Sequence, residues 1–490
     1  MAIATLVSRA AGFARVLVVA SALGLGSAVL DAYNVANTLP NAVFELVVGG
    51  AMASVVVPLL ARFPSFSYAQ RLLTLILYAL SAITVAALVL APWLVSLYTP
   101  GFSEAQRSLA VSFARFFLPQ ILFYGVSAVA GAVLSTRGRF AAPAWAPLAN
   151  SLVVIVAGLM YLAVPSFTLL VVGTTAGVLA QMAVVLWALS RSGFPLRPRL
   201  DPRGIGLRRI ARLGGWVLLS VAAAQALLAV ATRAASLSGP GGVSAYQNAL
   251  AVFQMPYAVI ALSVMTAILP RLSRNAARRA HHQVTEDLSR AIRLAVAALA
   301  PIAAAMLVLG PQIATLLFAH GNSSPSAVTL LGLVIAAFGV ALVPFTAYAI
   351  LQRGFYALQD TRTPALITTG VTLVGVLGCL AAGWALPRAY VVVGVPFAYA
   401  IAYTAGLVAS ALILRRRLGR LDGHRLLRTH AKVAVAAGLA GLAAVALVLP
   451  LSGPALITLG AAAPTGAAVY LAVAKLVHLS ELRQLFRLAV

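Results

Sequence analysis

Acidic side chains are scarce in this sequence: nine Asp and Glu in 490 residues, beside six histidines and one cysteine. A single thiol, Cys379, excludes a disulfide framework and a cysteine-based metal cluster. Acids and histidines this few and this scattered leave little material for metalloenzyme chemistry. Charge of either sign is sparse as well, at 9% of residues against 62% hydrophobic. A soluble protein could not cover its own surface with so few charges. Nucleotide signatures are also missing. No Walker A pattern and no Rossmann glycine fingerprint interrupts the chain, so any transport draws on a gradient, on membrane potential or on substrate supply.

What the sequence has is apolar residues in long runs, with a mean hydropathy of +1.01. Runs near 20 residues each cross a hydrocarbon core of about 30 Å as a helix. In order they predict an all-α polytopic membrane protein of about fourteen spans, the second over 33 to 60 and the eighth over 245 to 270. The 35 Lys and Arg give a net charge of +26. They gather in alternate connections, as in Arg197, Arg199, Arg203, Arg208 and Arg209, or Arg415, Arg416, Arg417, Arg420, Arg425 and Arg428. Arg107 and Arg388 fall in the opposite connections. The positive-inside rule therefore predicts both termini in the cytoplasm. The basic excess reads as topology and attraction to anionic lipid, with no nucleic acid as partner. Arg9 and Arg15 interrupt the first run and the chain proceeds directly into another span, unlike a cleavable signal peptide.

Residues 191–212 contain Gly193, Pro195, Pro198, Pro202 and Gly204, the composition of an irregular linker between two bundles. His281-His282, in the basic connection 271–293, has no third ligand nearby and reads as a solvated face. An internal echo supports two halves. Ser54-Val55-Val56-Val57-Pro58 is matched by Thr266-Ala267-Ile268-Leu269-Pro270, and Ala32-Tyr33 by Ala245-Tyr246, at an offset of about 212 residues. Six spans separate the copies, which makes them parallel repeats with the substrate path expected between them.

An ionised side chain in hydrocarbon costs several kcal/mol unless it is paired or faces water. Charges within the spans are therefore the candidate functional residues. Arg9 and Arg15 lie about 120° apart around the first helix. Asp31 stands at the outer start of the second span, with Glu45 about 21 Å further along. Glu45 and Arg15 reach similar depth, which predicts a pair across the first two helices. Arg233 lies near an outer end. Two readings stay open for each: Arg9 and Arg233 line a cavity or snorkel to headgroups, Asp31 binds or caps its helix, and Glu45 is functional or a neutral structural carboxyl. A cavity rich in arginine favours a phosphorylated anion, because guanidinium forks match phosphate oxygens bidentately.

Ser8-Arg9-Ala10-Ala11-Gly12-Phe13-Ala14-Arg15, Asp31-Ala32-Tyr33, Leu39-Pro40-Asn41, and Gly50-Ala51 with Val57-Pro58 resemble the N-terminal signature of the MurJ (MviN) lipid II flippases. That family is a branch of the multidrug/oligosaccharidyl-lipid/polysaccharide exporter superfamily. Gly138-Arg139-Phe140 with Pro143, Pro270 with Leu272-Ser273, and Gly354 through Pro364 are similar to the family's cytoplasmic hinges. The resemblance implies two six-helix lobes, 1–190 and 213–414, joined by the linker 191–212. A basic loop over 415–432 and a C-terminal helix pair with tail over 433–490 complete the chain. It also implies a cationic cavity and a groove for a polyprenyl tail. The task it implies is movement of undecaprenyl-diphosphate-linked muropeptide (lipid II) from the inner to the outer leaflet of the bacterial cytoplasmic membrane by alternating access.

Carried over residue by residue, Arg9, Arg15 and Asp31 match the family's functional positions, and Pro40, Asn41, Pro256, Asp360 and Pro364 are the expected hinge and gating residues. The chain departs from the pattern elsewhere. Phe44 and Glu45 stand where an arginine is common, no arginine precedes Pro256, and Val16 follows Arg15 in place of an acid. Arg233, Gln247, Asn248 and Gln254 are the candidates for supplying polar contacts instead. No cofactor is expected, only coupling to membrane potential, Na+ or H+. Expected partners are lipid II, membrane lipids and cell-wall synthesis proteins. Export of another polyprenyl-diphosphate-linked glycan or of drugs, and a non-transporting scaffold for cell-wall synthesis, are the alternatives.

Overall fold

Long apolar stretches separated by short turns of Ser, Pro and Gly fold as helices throughout. The computed structural model describes residues 2–49, 66–194, 207–419, 422–449, 454–481 and 484, and none of these forms a strand. Thirteen helical stretches among the described residues are long and apolar enough to cross a bilayer. The expected second span is helical over Ala28–Gly49. Its continuation to residue 60, the Ser54–Pro58 half of the sequence echo, Gly50-Ala51, most of the linker and Arg420 lie outside the described residues.

One compact unit comprises residues 1–244 with 321–323. It holds α1 (Ala2–Leu23), α2 (Ala28–Phe44), α3 (Phe66–Val89), α4 (Ala91–Tyr98), α5 (Glu104–Phe117), α6 (Gln120–Thr136), α7 (Ala141–Ala163), α8 (Phe167–Ser190) and α9 (Leu207–Ser236). Serines begin several of them. Ser27 accepts from the Leu30 N–H at 3.0 Å, Ser103 from Gln106 at 3.3 Å and Ser166 from Leu169 at 3.4 Å. Each satisfies one of the donors that a helix start leaves without an intrahelical partner. Helix α1 packs along α7, α7 along α8, and α2 along α5. In lipid there is little hydrophobic drive between helices, so small residues that permit close approach decide the packing. Any side chain at Gly173 of α8 would strike Ala157 of α7.

The second unit comprises residues 245–320 and 324–490. It contains most of α10 (Gly242–Pro256), then α11 (Leu262–Ala277), α12 (His281–Phe318), α13 (Pro325–Ala357), α14 (Arg362–Ala385), α15 (Val391–Leu418), α16 (Gly423–Val448) and α17 (Ala455–Leu476). The 38-residue α12 is the spine, packing against α13, α16 and α17. Tyr246, Phe253, Phe338, Phe345, Tyr399 and Tyr403 stack into an aromatic core, in which the Tyr246 and Tyr399 hydroxyls share a hydrogen bond of 2.8 Å. The sequence echo has a structural counterpart. A π-helical turn follows α2 at Glu45–Gly49 and another follows α10 at Tyr257–Ala261, so their first residues differ by 257 − 45 = 212. π-turns insert a residue into the helical ladder and recur at functional sites.

The C-terminal helices are bolted to the spine by polar contacts. The Tyr470 hydroxyl donates to the Ala297 carbonyl at 2.6 Å, and Glu481 accepts from Arg293 at 2.7 Å and from the Thr429 hydroxyl at 3.2 Å. Glu481 is buried whereas Arg293 keeps part of its surface exposed. Breaking a fully buried pair costs about 3–5 kcal/mol, and partial exposure brings the expected loss for Glu481→Gln to about 2 kcal/mol. Thermal unfolding in detergent checks this, and an unchanged midpoint would show that the bolt contributes nothing.

Candidate functional site

Helix α1 brings Arg9 and Arg15 into the first unit, and both side chains are half-buried. Among the described residues neither forms an ion pair or a hydrogen bond. Around Arg15 the unit gathers polar groups from four helices. Its guanidinium lies near the hydroxyls of Tyr33 in α2 and Tyr124 in α6. Tyr124 lies beside Asn150 of α7, and the Asn150 amide donates to Gln181 of α8 at 3.3 Å. The Tyr33 and Thr174 hydroxyls pair at 2.8 Å. Asn150 Oδ1 and Gln120 Oε1 are buried acceptors with no hydrogen-bond partner. A charge that costs several kcal/mol to submerge thus lies near groups that can orient an oxyanion. Tyr124, Asn150 and Gln181 did not stand out in the sequence. The available signal was an isolated carboxamide in each of two apolar runs.

Glu45 is exposed, and among the described residues it has no ion pair with Arg15, which corrects the expected pair. The α register of α2 stops at Phe44 and widens into the π-turn, so 3.6-residue phasing no longer places the side chains beyond it. Phe44 packs on Tyr124 with ring centroids 5.6 Å apart.

Asp31 is 0% exposed. Its own helix is capped by Ser27, and the carboxylate instead receives donors from a distant turn. Gly241 N–H donates to Oδ2 at 2.7 Å, Ser244 N–H donates to Oδ1 at 2.8 Å, and the Ser244 hydroxyl donates to the same Oδ1. The chain can make this turn because Gly239 and Gly241 adopt φ of 81° and 89°. Asn34, one turn along α2, reaches Ser244 Oγ at 3.4 Å. Arg233 is exposed and donates to the Leu97 carbonyl at 2.8 Å, a cation at the last turn of α4. Pro40 is buried, and beside it the Asn41 amide donates to the Asn37 carbonyl at 2.8 Å.

The remaining candidates belong to the second unit. Gln247 is half-buried, Asn248 is buried with Nδ2 lacking a hydrogen-bond partner, and Gln254 is exposed. Pro256 ends α10 immediately before its π-turn. Asp360 joins two helices. It accepts from the Thr363 N–H at 3.0 Å, in the first turn of α14 where Pro364 is tolerated, and pairs with Arg417 of α15 at 2.5 Å. Arg417 also reaches the Thr363 hydroxyl at 2.8 Å. Burial alone would raise the Asp360 carboxyl. The Thr363 hydroxyl and N–H and the Arg417 guanidinium outweigh it and hold Asp360 below the usual carboxylate range. A depressed folded-state value means that its stabilisation is full above the unfolded value of about 4 and fades as pH falls through the folded one. The melting difference between wild type and Asp360→Asn is expected at neutral pH and should vanish in acid; a constant difference from pH 7 to pH 3 would refute it.

An apolar cleft of about 300 Å³ lies between α12, α16 and α17, lined by Pro301, Leu309, Ala440, Ala444, Ala462 and Gly466. Among the described residues no group of three or more His, Cys, Asp or Glu could hold a metal.

Known proteins share both the sequence and the arrangement. A family model described as lipid II flippase MurJ matches residues 19–457. The lipid II flippase MurJ of Burkholderia cenocepacia is 31% identical over 76% of this chain and 74% of its own. A probable lipid II flippase MurJ of Rhizobium meliloti is also 31% identical, over 76% and 71%. A solved structure of lipid II flippase MurJ in an inward closed conformation superposes with a TM-score of 0.82 at 19% identity, covering 97% of both chains. An inward-facing multidrug resistance MATE family transporter has the same fold, with a TM-score of 0.71 at 18% identity over 86% of this chain and 96% of its own. The chain is a multi-pass membrane protein and belongs to the lipid II flippase MurJ family.

Proposed function

We propose that this chain moves lipid II from the inner to the outer leaflet of the bacterial cytoplasmic membrane by alternating access. The observation that carries the reading is the pair of half-buried arginines on α1 that have no counter-ion among the described residues, with Tyr33 and Tyr124 near Arg15 and Asn150 and Gln181 beyond them. Arg9 and Arg15 grip the diphosphate, and the carboxamides orient the attached sugar. The apolar cleft beside α17 takes part of the polyprenyl tail, which never leaves hydrocarbon. Asp31 acts as a clasp: its bonds to Gly241 and Ser244 hold the outer end shut and break when that end opens. The lobes 1–190 and 213–414 rock about Pro40, Asn41, Pro256, Asp360 and Pro364.

Both termini lie in the cytoplasm, in keeping with the arginine distribution. The basic loops meet anionic lipid and cell-wall synthesis proteins. A cytoplasm-negative potential drives an anionic headgroup outward at about 2.3 kcal/mol per charge per 100 mV. Coupling to Na+ or H+ would fall to Asp31 or Glu45, because the carboxylates of the second unit stand at helix ends, in loops or in the tail.

Proteoliposomes holding the purified chain and fluorescent lipid II test the reading. Translocation faster than in protein-free vesicles, and accelerated by an inside-negative potential in vesicles with the cytoplasmic face inward, is the expected result. A rate equal to that of empty vesicles, or transport of organic cations in its place, would overturn it.

A further inference from the structure

A second pair of arginines, Arg139 and Arg191, belongs to the ends of other helices than the pair on α1. Helix α6 ends in a Schellman turn, with Gly138 N–H bonded to the Ser135 carbonyl at 3.1 Å and Arg139 N–H to Leu134 at 3.0 Å. Gly138 sits at φ 74°, where a side chain would be strained. That turn aims the chain so that Arg139 comes directly after it and α7 starts two residues later. Arg191 closes α8 at the same end of the unit, its guanidinium 4.8 Å from the Trp187 ring centre. Between them lies a pocket of about 520 Å³ whose walls include Leu134, Phe140, Trp145 and Trp187. Phe140, Trp145 and Trp187 are exposed. Among the described residues neither Arg139 nor Arg191 has a carboxylate partner.

We infer that this pocket is a binding site for an anionic phospholipid of the cytoplasmic leaflet, its phosphate held by Arg139 and Arg191 and its acyl chains laid against Trp145, Trp187 and Phe140. Four features support one occupant over others. The arginines lie at the end of α6 and α8 that the charge distribution assigns to the cytoplasm, level with lipid headgroups. Tryptophans prefer that interface, with an apolar body toward the chains and an N–H toward water. Two guanidinium groups at one mouth demand net negative charge. A zwitterionic lipid brings its own cation and leaves the net positive charge of the site unchanged. Crowding of positive charge is already felt here: burial, and then the Arg139 guanidinium, hold the neighbouring Arg137 below its usual range. A soluble anion would meet the arginines but leave the aromatic walls bare. The site does not depend on the transport reading, because it uses none of the residues assigned to the headgroup.

Fluorescence quenching of the full chain in phosphatidylcholine vesicles tests this, using phosphatidylglycerol or phosphatidylcholine brominated on the acyl chains. Brominated phosphatidylglycerol should quench preferentially, and Trp145→Phe with Trp187→Phe should abolish that preference. A basic residue near an anionic lipid is worth about 1 kcal/mol, or about fivefold. Arg139→Gln with Arg191→Gln should therefore weaken the preference about 25-fold, while Arg139→Lys with Arg191→Lys keeps most of it and shows that the fold survives. Millimolar inorganic phosphate should leave quenching unchanged. Equal quenching by both lipids, an unaltered preference in the glutamine variant, or displacement by inorganic phosphate or by equimolar polyprenyl diphosphate would each overturn the proposal. No transport is measured, so a failure here leaves the flippase reading standing, and a failed translocation assay leaves this site standing.

Discussion

Arg15→Ala is expected to reduce lipid II translocation about 100-fold while leaving the protein as stable as wild type, or slightly more stable. The rate is set by chemistry. A hydrogen bond to a charged group is worth about 1.5–3 kcal/mol, and loss of a bidentate grip on the diphosphate sits at the upper end, where 2.8 kcal/mol corresponds to about two decades. The unchanged stability is set by the surroundings. Arg15 has no ion pair or hydrogen bond among the described residues, so its removal breaks neither there and relieves a costly half-buried charge. Arg15→Lys keeps the charge but loses the planar fork, and should fall between, at about tenfold. Translocation of fluorescent lipid II in proteoliposomes, measured beside thermal unfolding, separates the two effects. A drop in melting temperature parallel to the drop in rate would reassign Arg15 to a structural role.

The helical, membrane-spanning architecture was legible in the sequence because hydrocarbon leaves the backbone few choices. Fourteen apolar runs predict helices, and thirteen helical stretches among the described residues are long and apolar enough to cross. Two π-turns stand at the spacing of the sequence echo, and no residue pattern announces the second, at Tyr257. Side-chain partners were harder. Similar depth along the first two helices predicts a Glu45–Arg15 pair, but depth does not say which way a side chain faces, and Glu45 opens a π-turn. Capping its own helix is one of the two readings the sequence leaves for Asp31, and Ser27 fills that role. The donors that Asp31 accepts come from residues more than 200 positions away, set by two glycines at positive φ. Long-range pairing of this kind leaves no periodic signal, and neither do the carboxamides around Arg15, whose meaning depends on four helices meeting at one depth.

The clasp at Asp31 leads to the second large effect. Asp31→Ala removes the acceptor for two backbone N–H groups and one hydroxyl in a fully buried position. A buried donor left without a partner costs about 1–3 kcal/mol, so the state in which these bonds form should lose about 4 kcal/mol. Asp31→Asn should lose nearly as much, because its NH2 must face either the Gly241 N–H or the Ser244 N–H, donor against donor. If the clasp is structural alone, both variants simply melt earlier. If it shuts the outer end, they also shift the resting population toward an outward-open state. A shift of about 4 kcal/mol is enough to invert a population that rests almost wholly closed. A cysteine at Asn34, one turn below Asp31, reports the difference once Cys379 is replaced by alanine. An impermeant maleimide added from outside should label Asn34→Cys slowly with Asp31 intact and rapidly with Asp31→Ala at a temperature well below unfolding. Because transport needs the closed state as much as the open one, lipid II translocation should fall together with the gain in labelling. Labelling that stays slow in Asp31→Ala while the melting temperature drops would remove Asp31 from the gate and leave it as a tie between α2 and the Gly239–Ser244 turn.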